Sequence, residues 1–164
     1  MNFLDHADDP KRAARWPLYY FLLASLAVGA AATLFTDPNL AWYAALARPG
    51  YAPPGWLLPP VWTSLYVLMA VAAWRAWKVA RLKSSAMALY GLQLAFTFVW
   101  TALFFGPHRM DLALVAVSLL GVLRLLTAIL FWRKDRIAGL LFLPALAGAL
   151  FEAMLVYGFR LLNA

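Results

Sequence analysis

The chain has 164 residues, of which 65% are hydrophobic, 16% aromatic and only 13% charged, and its mean hydropathy is +0.75. A soluble domain carries about 45–50% apolar and about 25% charged residues, so one core of this size cannot hold the apolar surface and the surplus must face lipid. Scarce charge with abundant aromatics also excludes disorder, collagen and coiled coil, and the lack of Cys excludes a disulfide scaffold, a thiolate metal site and a Cys nucleophile.

A hydrocarbon core of about 30 Å needs about 20 apolar residues in a helix. Residues 1–16 form a polar, basic N-terminal extension with no readable task, and residues 17–164 form one membrane domain. Five stretches reach the required length, at about 17–35, 60–77, 86–105, 112–132 and 138–159. The first has a basic flank like that of a signal peptide, in Lys11, Arg12 and Arg15. Its apolar run of about 19 residues exceeds the usual 7–15, so it reads as a helix. The expected fold class is all-α, an integral membrane bundle of five transmembrane helices.

Loop charges give the orientation. The N-terminus and the second and fourth loops hold Lys11, Arg12, Arg15, Arg75, Lys78, Arg81, Lys83, Arg133, Lys134 and Arg136, against Arg48, Arg109 and Arg160 on the other side. Ten against three predicts a cytoplasmic N-terminus. The same placement explains the net charge of +7 without nucleic acid.

The densest signal is the long first loop, 36–59, with Trp42, Tyr43, Leu46, Arg48, Pro49, Tyr51, Pro53, Pro54 and Trp56. Long ordered loops tend to be functional, and this one has the apolar groups of a partly buried lid. An interfacial aromatic belt would give the same composition. The run WYxxLxRPxYxPPxW, followed by Pro59 and Val61-Trp62-Thr63-Ser64-Leu65-Tyr66-Val67-Leu68-Met69, resembles the TspO/MBR family of tryptophan-rich sensory proteins and translocator-protein relatives. Tyr90, Gln93-Leu94-Ala95-Phe96, Trp100 and Phe104-Phe105-Gly106 agree with that family's third span, and Ala138 to Pro144 with the start of its fifth.

The resemblance implies a five-helix bundle, commonly a homodimer, with a cavity beneath the first loop for porphyrin, haem and other flat hydrophobic ligands. It implies no obligatory cofactor; porphyrin or haem would be a ligand. Carried over by position, Trp42, Tyr43, Pro53, Pro54, Trp62, Tyr66, Gln93, Thr97 and Trp100 would line or close the cavity. Helix packing is the other reading of Trp62, Tyr66 and Trp100. A tetrapyrrole needs aromatic faces and a few polar groups at its rim, which this set supplies.

The departures from the family concern the cavity. Thr97 stands where Asn is usual, and Pro144-Ala145-Leu146-Ala147-Gly148 replaces Pro-Tyr-Leu-x-Trp. The Asn expected near Val156 is also missing. A Trp pair tied to light-dependent porphyrin breakdown in some bacterial members thus lacks its half at Gly148. Instead, Arg124 and Glu152 lie inside the fourth and fifth spans. An unpaired charge at mid-bilayer costs at least about 2.5–3.5 kcal/mol, so such residues face inward and find partners. Pro144, Gly148 and Glu152 share one helix face, and Gly148 is expected to open space above the carboxylate. Three readings stay open: an Arg124–Glu152 ion pair between helices, a pocket in which Arg124 meets a ligand carboxylate and Glu152 a polar or cationic group, and a proton-linked or transport role.

Weaker signals are His108, which reads as a turn residue rather than a haem contact, and a pattern for cholesterol contact at 155–160. Ser25 with Gly29 and Ala27 with Ala31 are spaced for a dimer face. His6 and His108 are too few for a metal site. The expectation is a membrane binding and sensing protein in a bacterial inner membrane, in contact with lipid and a hydrophobic small molecule. A porphyrin or lipid transporter and a membrane enzyme acting on a porphyrin-like substrate are the alternatives.

Overall fold

The computed structural model describes residues 16–80 and 84–163; residues 1–15 of the N-terminal extension lie outside these, as do Arg81 and Lys83 of the second loop, while Trp16 already belongs to the first helix. It contains α1 (Trp16–Thr36), a 3-10 turn (Asp37–Asn39), α2 (Leu40–Ala45), a second 3-10 turn (Gly55–Leu57), α3 (Leu58–Ala80), α4 (Ser85–Phe105), α5 (Met110–Lys134) and α6 (Arg136–Leu162). Among the described residues, five helical segments are long and apolar enough to cross a membrane. The helices α1, α3, α4, α5 and α6 overlap the five stretches read from the sequence, extended by up to three residues at their ends. The second begins earlier than expected because Pro59 and Pro60 fall in the first turn of α3, where a missing N–H costs no helical bond.

The short connections follow from caps. Ser84 accepts a hydrogen bond from the Met87 N–H. Asp135 closes α5 by donating its N–H to the Phe131 carbonyl at 2.7 Å, and opens α6 by accepting from the N–H groups of Ile137 and Ala138. One residue therefore serves both helix ends. It is also tied to α3, because Arg75 lies 2.9 Å from its carboxylate.

Helix α1 packs on α3 and α4, α4 on α5, α5 on α6 and α6 on α3, so the long helices close into a ring. On α5 the outer stripe is Leu112, Val115, Leu119, Val122, Leu126 and Ile129, all exposed, and the inner stripe is Ala113, Val117, Leu120, Arg124, Thr127 and Phe131, all buried. Apolar outside and packed inside is the pattern of a helix with one face in lipid. Small residues draw the helices together: Ala72, Ala73, Ala76, Ala113, Ala138 and Ala145 have no exposed surface.

Two apolar clusters fill the ring. One surrounds Met69, Tyr90, Phe131 and Phe142; the other surrounds Phe104, Val117, Leu120 and Phe159 at the first-loop end. Between them lies a polar layer. The Ser25–Gly29 stripe is also internal, contrary to its expected role as a dimer face. Ser25 is fully buried and shares a hydrogen bond of 2.5 Å with the Tyr90 hydroxyl, while a Cβ at Gly29 would stand 2.6 Å from the Tyr66 ring.

Candidate functional site

Residues 36–59 are more structured than a plain loop, because α2 and two 3-10 turns shape them. Trp42 stacks on His108, with ring centroids 3.9 Å apart and planes 12° apart, and meets Phe104 edge-on at 5.4 Å. Tyr43 packs against Phe159 at 5.3 Å and Phe105 at 5.6 Å. These two rings thus cap the upper ends of α4 and α6 rather than line an open cavity. His108 holds a positive φ of 56°, and its Nε2 lies 3.0 Å from Asn39 Oδ1. It is a turn residue, as its Pro107 and Arg109 neighbours suggest.

The C-terminal end of α6 pins the segment. The Ala47 N–H donates to Asn163 Oδ1 at 2.9 Å and Asn163 Nδ2 donates back to the Ala47 carbonyl at 3.0 Å. Further along, the Tyr51 hydroxyl donates to the Met154 carbonyl at 2.9 Å. This approach needs Gly158: a Cβ there would lie 2.3 Å from the Tyr51 oxygen and 2.7 Å from Pro49. Neither Asn163 nor Gly158 stands out in the sequence, since each matters only through a residue over 100 positions away.

Beneath this lid, α3 and α6 leave an apolar cleft of about 340 Å³. The loop supplies Pro53 and Leu57, α3 supplies Val61, Trp62 and Leu65, and α6 supplies Pro144, Gly148 and Phe151. No charged side chain lines it. Its volume lies at the small end of the range for small-molecule sites. Gly148 does not open space over Glu152, because the Trp62 and Leu65 side chains occupy it. A Cβ at 148 would stand 2.9 Å from Leu65 and 3.0 Å from Trp62. Pro54 is exposed and lies outside the cleft lining. Leu65 was legible as the helical neighbour one turn after Trp62, whereas Val61 directly precedes Trp62 in sequence. A larger recess of about 800 Å³ opens at the opposite end between α1 and α4, where Pro17, Tyr20, Phe21, Trp77, Met87 and Tyr90 form much of its wall.

Deeper in the ring, Gln93, Thr97, Arg124 and Glu152 come together, each at most 5% exposed. Arg124 donates from Nε to Gln93 Oε1 at 3.3 Å, from Nη1 to the Ala145 carbonyl at 2.9 Å and from Nη2 to Thr97 Oγ1 at 3.2 Å. Its Nη1 also lies 3.7 Å from Glu152 Oε2. The departures at Thr97 and Arg124 therefore belong together. The Thr97 hydroxyl accepts from Arg124 while donating to the Gln93 carbonyl of its own helix at 2.8 Å. Tyr66, one turn beyond Trp62, lies within electrostatic range of both charges. Trp100 packs on Phe104 at 6.2 Å, and its Nε1 has no hydrogen-bond partner among the described residues.

Eleven of the twelve residues singled out in the sequence thus divide among three places, not one cavity. Trp42 and Tyr43 hold the lid, with Trp100 packed against the same Phe104. Pro53, Trp62 and Gly148 line the cleft. Gln93, Thr97, Arg124 and Glu152 form the polar layer with Tyr66 at its edge, and Pro54 joins none of the three. Among the described residues no cluster of His, Cys, Asp or Glu could hold a metal ion.

Known proteins share this sequence pattern. The TspO/MBR family profile matches residues 21–162. The tryptophan-rich sensory protein of Cereibacter sphaeroides is 40% identical over 147 residues, covering 85% of this chain and 90% of its own. The tryptophan-rich protein TspO of Archaeoglobus fulgidus is 36% identical, covering 87% and 94%. The human translocator protein is 34% identical, covering 73% of each. With its five spanning helices and the profile running through all of them, this chain is an integral membrane protein that belongs to the TspO/MBR family.

Proposed function

We propose that this protein binds tetrapyrroles, such as haem or protoporphyrin, or similar flat hydrophobic molecules in the cleft between α3 and α6, and that occupancy is passed to a regulatory partner. The cleft carries this reading: an apolar slot faced by Trp62 and roofed by Pro53 and Leu57 of the anchored first loop. An aromatic face with carbon-lined walls suits a flat apolar disc, which gains area burial and stacking together. Entry is from the bilayer between α3 and α6 or from beneath the lid. The lid's ties to Asn163 and Met154 would carry a change of occupancy to the end of α6. The reading includes a cytoplasmic N-terminus in a bacterial inner membrane and a homodimer formed through a face other than Ser25–Gly29.

The larger recess between α1 and α4 offers a second location, favoured by its volume. Titration of the purified protein with haem and protoporphyrin, followed by Trp fluorescence quenching, separates the two. Saturable binding weakened by Trp62→Ala and kept by Trp77→Ala supports the cleft. The reverse pattern moves the ligand to the α1–α4 recess, and unsaturable quenching rejects tetrapyrrole binding. Vesicle flux of a porphyrin would instead support a transporter. Loss of porphyrin absorbance with a new product would support an enzyme.

A further inference from the structure

Among the described residues, Glu152 Oε2 and Gln93 Nε2 are buried without a hydrogen-bond partner. The first can only accept when Glu152 is ionised, and the second can only donate. Both residues meet the same guanidinium: Gln93 holds Arg124 Nε through its Oε1, and Glu152 faces Nη1 at 3.7 Å, beyond hydrogen-bond length. Arg124 itself is well served, with three protein acceptors. The unmet demand lies on its two partners, one acceptor and one donor. Buried polar atoms of this kind are normally satisfied by a bridging group, and water in such sites has two to four polar partners.

We infer that a neutral hydroxyl group sits between Gln93 Nε2 and Glu152 Oε2, accepting from the amide and donating to the carboxylate. In the ligand-free protein this hydroxyl is a water. In the occupied protein it is the hydroxyl of an apolar molecule that reaches inward from the cleft, a clause that rests on the cleft being the binding site. Charge selects neutrality. Arg124 and Glu152 sum to zero, so an added amine or carboxylate would leave a net charge within the hydrocarbon, which is costly there. A hydroxyl adds none and satisfies both orphans. The path runs along α6: Glu152 is one turn from Gly148 and adjoins Phe151, both of which line the cleft, so an entering ligand displaces the Trp62 and Leu65 side chains that stand against Gly148. A single helical turn separates side chains by about 5–6 Å.

Two measurements on the full chain in phosphatidylcholine nanodiscs test this. The first is infrared spectroscopy of the ligand-free protein in ordinary and ¹⁸O water. A bound-water O–H band that shifts with the isotope and vanishes in Gln93→Met is expected; Thr97→Val, which removes an Arg124 contact but neither orphan, should keep it. The second is energy transfer from Trp to pyrene, pyrenemethanol, pyrenecarboxylate and pyrenemethylamine. Pyrenemethanol should bind about tenfold tighter than pyrene and both charged analogues, should displace the water band, and should lose its advantage in Gln93→Met and Glu152→Gln. A band with no alcohol preference keeps the water and overturns the ligand hydroxyl. Neither band nor preference overturns the inference. If no pyrene compound binds, the cleft reading fails, while the isotope-sensitive band still decides on the bound water.

Discussion

Replacing Glu152 by Leu removes the carboxylate facing Arg124 and leaves a guanidinium, only 2% exposed, without a counter-charge in the middle of the helix ring. At 3.7 Å the pair is worth about 4 kcal/mol with an effective dielectric constant of about 20, and removing one member of a buried pair typically costs about 3–5 kcal/mol. Arg124→Leu should cost a similar amount, because it strands Glu152 and removes the donors to Gln93 Oε1 and Thr97 Oγ1. The double replacement takes both charges out of hydrocarbon. It should be far less damaging than the sum of the singles, with a coupling of about 3 kcal/mol. Unfolding of the four proteins by dodecyl sulfate in mixed micelles, followed by far-ultraviolet circular dichroism, measures this. If the losses add to within about 0.5 kcal/mol, the two residues do not interact and the polar layer is misassigned.

Other parts of the structure give equally specific expectations. Gly158→Val should drive Tyr51 and Pro49 off α6, making the first loop a much faster chymotrypsin target at Tyr43, Leu46 and Tyr51; unchanged cleavage would refute the Gly158 contact. Asn163→Ala deletes two hydrogen bonds to Ala47, worth about 1–3 kcal/mol together, so exchange of the Ala47 amide should accelerate about tenfold or more. Ser25→Ala leaves the buried Tyr90 hydroxyl unmatched and should cost about 1–3 kcal/mol in the same unfolding assay, and adding Tyr90→Phe should recover much of that loss. Gly148→Leu puts a side chain where Trp62 and Leu65 already stand, so it should cost about 1–3 kcal/mol by overpacking and weaken ligand binding at least tenfold.

The spans were legible because lipid imposes a length and composition that five stretches meet, and the α5–α6 turn was visible as the polar run Arg133 to Arg136. The inward position of Arg124 and Glu152 was also legible, since hydrocarbon leaves a charge no other place. Their pairing with each other was one of the open readings, and they stand 3.7 Å apart; the further partners of Arg124 on α4, Gln93 and Thr97, were not legible. Thr97 read as the loss of an amide, yet it fits a guanidinium that the rest of the family pattern gave no reason to expect. Gly148 read as opened space because the sequence shows what a residue lacks and not what moves in. Ser25 and Gly29 misled for a related reason: small-residue spacing marks close helix contact but not which helix makes it. Here both positions face α3 and α4 within the same chain.

The account centres on a flat apolar ligand lying against Trp62 beneath the first loop. Photolysis of a diazirine-bearing porphyrin bound to the protein, followed by peptide mapping, locates that ligand directly. Adducts on Trp62, Leu65, Pro144 or Phe151, competed by unlabelled protoporphyrin, are the predicted result. Competed adducts on Tyr20, Trp77 or Met87 with none at the cleft would contradict it.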